Sequence, residues 1–243
     1  MLKMIIGGRR RAGMTHADYA HYLQVRHGAI VRHDPGALRA YEQNHVLDSA
    51  HGTRAAGWHP APDFDSFSEL SFADFAGFQS SVQEPYYRAV IQPDELNFVT
   101  HDALILMATR AIDQGVAQPA HGRIKTLRFL ASNGTASAAV LRSAWAAETQ
   151  RLATHPDLVP VLRGLQRNEN LKDIDGSLPA GFVNNAPLSD FFGVEIAWFD
   201  RPDDRSGIAH YRAAIEASSS PLAGLLDRRA ELLIIAEPVR ILP

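Results

Sequence analysis

Apolar and polar positions along this chain switch between two periods, and the switches mark its elements. Leu2 to Gly8 is a short apolar run ending in Gly-Gly and reads as a strand. Thr15-His16-Ala17-Asp18 has the form of a helix start, where a hydroxyl and a carboxylate satisfy free N–H groups of the first turn. Tyr19, Tyr22, Leu23, Arg26, His27 and Ile30 then recur at helical spacing, and Asp34-Pro35-Gly36 breaks the helix. Leu38 to Val46 alternates, which puts Arg39, Tyr41, Gln43 and His45 on one side of a strand. His51 to Pro62 reads as a loop, Phe67 to Phe72 as a third strand, Ala73 to about Val82 as a helix and Leu104 to Ala111 as a fourth strand. This order, β-α-β-β-α-β, is that of a ferredoxin-like unit.

The order then repeats. Arg123 to Leu130 is a strand, and Gly134-Thr135 opens a helix with Ala138, Leu141, Trp145 and Leu152 on one face. Strands follow within Leu158 to Asn168 and at Gly193 to Phe199, then a helix from Ile208 and a last strand from Glu231 to Ala236. Three stretches match in register: Leu38-Arg39 and Asn44 with Leu162-Arg163 and Asn168 (offset 162 − 38 = 124), Glu69 with Glu195 (offset 126), and Leu104 with Leu232 (offset 128). The expected fold is α+β, with two ferredoxin-like domains at 1–112 and 123–243 and a linker at about Asp113 to Gly122. Each sheet would carry helices on one face only, so pairing the two bare faces would bury both and enclose a cavity.

Composition narrows the function. A net charge of −3 gives no basic footprint for nucleic acid. The absence of cysteine removes disulfides, thiolate nucleophiles and Cys-ligated zinc. With no signal-peptide pattern and no apolar run approaching ~18 residues, a soluble cytoplasmic protein without membrane partners is expected, as a monomer or homodimer.

Lys3-Met4-Ile5-Ile6, Arg9 to Thr15, Tyr22, Arg26-His27, the row Arg39-Tyr41-Gln43-Asn44-His45 and Asp94-Glu95-Leu96-Asn97-Phe98 together resemble the EthD family, over roughly residues 2–110. The resemblance is weaker over 123–242. It implies the dimeric α+β barrel superfamily, whose members include cofactor-free isomerases, polyketide cyclases, dehydratase-like proteins, quinone-forming monooxygenases and haem-degrading enzymes. It also implies a proton-transfer role for His27, which matches a helix-terminal histidine of related isomerases.

Nine of the eleven histidines fall in residues 1–121, so the first half is the expected active half. Histidine exchanges a proton near neutrality, which makes His27 the leading acid or base. His45 and Tyr41 are expected as its proton partners if their strand face lines the barrel cavity. If that face meets solvent, the row is only a hydrophilic surface. Tyr22, Arg39, Gln43, Trp58 and His101 are the candidate substrate contacts, with Trp58 on a loop that could cover the cavity. Asn44, repeated as Asn168, reads as structural, and Asp173 to Asp190 as a segment that could close one end. No His-x-His or His-Glu-x-x-His pattern occurs, and neither metal nor organic cofactor is expected. The expected activity is that of a lyase or isomerase: dehydration, elimination or cyclisation of a hydrophobic aromatic or polyketide-like molecule. The alternatives are a monooxygenase of the dimeric α+β barrel type and a non-catalytic small-molecule-binding accessory protein.

Overall fold

The computed structural model describes residues 1–47, 64–113, 123–171, 189–200 and 205–243. The loop carrying His51, Trp58 and His59, the linker, and most of the Asp173 to Asp190 segment lie outside the described residues.

The first half runs β1 (Leu2–Arg10), α1 (His16–His21), a π-helical turn (Tyr22–His27), α2 (Gly28–His33), β2 (Ala40–Val46), β3 (Ser66–Phe72), α3 (Phe75–Ser81), a second π turn (Tyr87–Ile91), α4 (Gln92–Glu95) and β4 (Val99–Asp113). The second half runs β5 (Ile124–Leu130), α5 (Ala138–Ala153), β6 (Leu162–Asn170), β7 (Gly193–Phe199), α6 (Arg205–Glu216) and β8 (Leu232–Leu242). Local chemistry sets several ends. Thr15 caps α1 by accepting from the Asp18 N–H, Ser137 caps α5 in the same way, and Gly36 takes a positive φ of 54° where the chain turns back towards β2. Among the described residues no helix is long and apolar enough to cross a membrane.

All eight strands pair antiparallel into one closed barrel, in the order β1-β3-β2-β8-β5-β7-β6-β4. The four strands of each half stay together, and the halves join where β2 meets β8 and β4 meets β6. The sheets therefore do more than face each other: they are hydrogen-bonded edge to edge, and closure leaves no exposed strand edge.

The barrel interior is filled rather than hollow. Ile5, Phe67, Met107, Leu127, Phe129 and Ile196 pack there. Beside them lies a buried polar layer. Lys3 donates to Glu69 (2.5 Å) and to Gln166 (2.9 Å), Lys125 donates to Glu69 (2.7 Å) and pairs with Glu42, and Asn44 donates to Glu69 (3.0 Å). These contacts tie β1, β2, β3, β5 and β6 together across the axis. Burial pushes the Lys125 ammonium well below its ordinary pKa, and the Lys3 and Arg240 charges add to this.

Pairing also tests the register matches. Asn44 lies opposite Phe67 and Asn168 opposite Val194, and each side chain donates to the carbonyl of the residue it faces, at 2.9 and 3.3 Å. The structural reading of this asparagine matches its geometry. The same pairing makes Phe67 correspond to Val194 (194 − 67 = 127), which puts Glu195 in the place of Ser68 rather than Glu69. Glu69 faces the barrel axis and Glu195 the helices. The offset of 126 is thus one residue out, and in a strand one residue exchanges the two faces.

Candidate active site

A mostly apolar cavity that could take a small molecule lies outside the barrel, between the outer face of the first half's strands and its helices. Its volume is about 120 Å³. An apolar cavity of ~150 Å³ accepts benzene, so this one suits a molecule of about one ring, and a haem does not fit it. Leu23, Val31, Leu70, Phe78, Ile91 and Phe98 make the wall apolar. His27, Glu95, Tyr19, Tyr41 and Tyr87 bring polar atoms to it.

The π turn sets the position of His27. On an α-helix, residues five apart point about 140° from each other, at 3.6 residues per turn. A π turn closes its hydrogen bond from i to i+5 and so stacks such residues. Tyr22 and His27, the two ends of the turn, consequently reach one carboxylate. His27 Nδ1 donates to Asp94 Oδ2 at 2.9 Å, and the Tyr22 hydroxyl donates to Asp94 Oδ1 at 2.7 Å. Asn97 Nδ2 adds a third bond to Asp94, at 3.2 Å. The ring of Phe98 packs against Tyr22 and His27, with centroids 5.1 and 5.0 Å away. Burial alone would raise the Asp94 pKa, but the bonds from His27, Tyr22 and Asn97 outweigh it and hold the carboxyl below its ordinary value. An ionised Asp94 accepts from Nδ1 and so orients the ring, with Nε2 as its second nitrogen, and His27 lines the cavity.

The strand row sits differently from the sequence expectation. Tyr41, Gln43 and His45 face the helices, and Asn44 faces the barrel interior. The reason is that both faces of β2 are covered, so alternation alone does not say which one meets the core. Tyr41 lines the cavity, and burial pushes its pKa up to about 12. Gln43 lies behind it and donates to the Tyr41 oxygen (3.0 Å) and to the Leu23 carbonyl (2.9 Å). His45 lies further back, with Nε2 3.1 Å from the Gln43 carbonyl oxygen. Burial, then the nearby His16, lower the His45 pKa to about 4, so it is neutral at pH 7 and is not a proton donor of ordinary strength. Arg39 is exposed ahead of β2 and away from the cavity. Tyr22 supports Asp94 from behind. Trp58 and the side chain of His101 lie outside the described residues. The structure thus brings His27 and Tyr41 to one cavity and adds Asp94, Glu95, Tyr19 and Tyr87. The acidic segment Asp94-Glu95 was the available signal for two of these.

The equivalent position in the second half is filled. Ile6 pairs with Ser68 on the cavity wall, and the corresponding pair in the second half is Arg128 with Glu195. Both are fully buried. Arg128 meets Glu231 at 3.2 Å and Glu195 at 3.5 Å, while Tyr211 (2.7 Å) and Trp145 (3.1 Å) donate to Glu195. Long charged and aromatic side chains fill the space that Ile6 and Ser68 leave open. Among the described residues no group of three or more histidines and carboxylates is placed to hold a metal ion.

Solved structures with the same architecture cover nearly the whole chain at low identity. An anthrone oxidase-like protein aligns with a TM-score of 0.64 at 10% identity, over 98% of this chain and 91% of its own. A candidate monooxygenase from Lactobacillus acidophilus gives 0.53 at 11%, over 99% and 94%. A candidate chlorite dismutase gives 0.55 at 9%, over 99% and 95%. Such likeness shows the fold, an α+β barrel, and not the reaction. No curated protein matches the sequence. The EthD domain model matches residues 11–102, the segment that holds both π turns, Asp94 and His27, so this segment is similar to an EthD domain.

Proposed function

We propose that this protein is a cofactor-independent proton-transfer enzyme, of lyase or isomerase type, acting on an apolar molecule of about one ring. The observation that carries the reading is the Asp94–His27 pair, 2.9 Å apart, with His27 at the wall of an apolar cavity. A base oriented by a carboxylate, with its second nitrogen at the cavity, needs only a bound carbon acid and exclusion of water. The two halves are read as ferredoxin-like units, which their matching strand orders (β2-β3-β1-β4 and β6-β7-β5-β8) support. The first would be the active unit and the second a scaffold.

Incubation with a panel of small enolisable aromatic and cyclic ketones in D2O, followed by proton NMR, tests the reading. Exchange at an activated C–H should fall by about 10²-fold or more in His27→Ala. A folded His27→Ala protein exchanging at the wild-type rate refutes it. The anthrone oxidase-like and monooxygenase neighbours favour one second reading, in which the carbanion formed by the same base reacts with oxygen. Oxygen uptake with the same panel separates the two, and ligand binding without exchange or uptake would indicate a carrier.

A further inference from the structure

The His27–Asp94 pair makes no use of Glu95, yet Glu95 brings the one carboxyl to the described cavity wall, where no lysine or arginine accompanies it. It ends α4, where carbonyl dipoles disfavour an anion, and it follows the ionised Asp94 directly. Tyr19, Tyr41 and Tyr87 all lie close enough to feel its charge. Burial, then the Asp94 charge, raise its pKa to about 8, so near neutrality its O–H is a donor.

Tyr41 is polarised in the same sense. The Gln43 carbonyl can only accept, so His45 Nε2–H donates to it. The Gln43 amide then donates to the Tyr41 oxygen at 3.0 Å. Ser68, on the same cavity wall, also hydrogen-bonds Tyr41. With the Ser68 hydroxyl as donor, as the Gln43 amide is, the Tyr41 proton is left to point at the cavity. Two O–H donors in a mostly apolar wall form a site for an oxygen that gains negative charge during the reaction.

Resting on the reading of His27 as base, we propose that Glu95 and Tyr41 are the oxyanion-binding pair of this site and that its substrate is an uncharged carbonyl compound. His27 Nε2 takes a proton from the carbon beside the carbonyl. The C–H electron pair becomes the enolate C=C bond, and the carbonyl π pair moves onto oxygen, where Glu95 and Tyr41 donate to it. The enolate then collapses in one of two ways. The proton returns from Nε2 to another carbon, giving an isomer, or it leaves with a β-hydroxyl as water. No oxidant or reductant is involved.

The test uses 4-nitrophenol, a one-ring enolate mimic whose absorbance reports its own ionisation. Besides Glu95, the titratable groups that face this region are Asp94, His27, Tyr19, Tyr41 and Tyr87. The wild type should bind the nitrophenolate near pH 7 and lose affinity through pH 8 to 9 as Glu95 ionises. Glu95→Gln, still a neutral donor, should bind within about threefold at pH 7 and keep that affinity at pH 9. Glu95→Leu should bind at least about tenfold more weakly at pH 7, through the loss of one charge-assisted hydrogen bond. Wild-type affinity in Glu95→Leu, or a wild-type profile flat from pH 7 to 9, overturns the proposal. His27→Ala separates the two readings: Glu95-dependent binding that survives there supports the oxyanion pair even if proton exchange never depends on His27.

Discussion

Replacing Glu69 by Gln removes one charge from the barrel axis without opening a cavity. In the native layer two ammonium groups, Lys3 and Lys125, are balanced by the carboxylates of Glu69 and Glu42. Glu69 accepts from Lys3 at 2.5 Å and from Lys125 at 2.7 Å. Each bond to a charged group is worth roughly 1.5–3 kcal/mol, and breaking a buried pair costs about 3–5 kcal/mol. Lys125 keeps Glu42, so we take the lower end, about 3 kcal/mol. For a chain of this length that is roughly 6–12 °C in Tm. The sign with pH follows from Lys125, whose folded pKa lies below its unfolded one. Between those two values the unfolded chain binds more protons, so stability rises with pH across the window, up to the ordinary lysine value of about 10.4. The Gln variant widens the window downward, because an uncompensated ammonium loses its proton sooner. Its deficit should therefore shrink as pH rises through the folded-state titration of Lys125. Urea and thermal melts of both proteins at several pH values measure this. A loss under about 1 kcal/mol at pH 7, or a deficit independent of pH, would refute the account of the layer as a balanced ion cluster.

Two further outcomes follow from contacts elsewhere. A Cβ built on Gly193 would stand 2.5 Å from the Trp145 ring and 2.9 Å from the Asn168 carbonyl oxygen, so Gly193→Ala should destabilise by about 1–3 kcal/mol in urea unfolding. Tyr22→Phe removes one of the three side-chain bonds to Asp94 and lets its pKa rise, so the acid limb of the proton-exchange rate should move to higher pH, with a loss of about tenfold near neutrality. An unmoved acid limb would mean that Tyr22 does not tune the pair.

The order of all eight strands, the Thr15 cap and the Asp34-Pro35-Gly36 break were legible because each rests on local chemistry. The placement of His27 was legible through the helix spacing and the family resemblance. The direction of the β2 face was not. In a barrel wrapped by helices both faces are covered, and Tyr41 and Asn44 are each buried on opposite sides of one strand. The one-residue error at Glu69 has the same origin, since a match of residue types does not report which face a strand presents. The helical stretch from Tyr87 to Glu95 escaped because it mixes a π turn with a four-residue α segment carrying Pro93, and neither offers a sustained 3.6 period. Glu95 escaped with it.

The π turn at Tyr22–His27 also makes the site a matter of chain length. A π turn holds one residue more than the α-helical path it replaces, and this one runs between a cap at Thr15 and a break at Asp34. Both ends are anchored, so a lost or gained residue cannot be absorbed quietly along the helix. Deleting a single exposed position inside it, such as Gln24 or Val25, would let the segment relax to α and turn Tyr22 and His27 away from each other. No side chain of the cavity would have changed, yet Asp94 would have lost one of its three side-chain partners. The counting of residues, as much as their chemistry, is what holds this histidine in place.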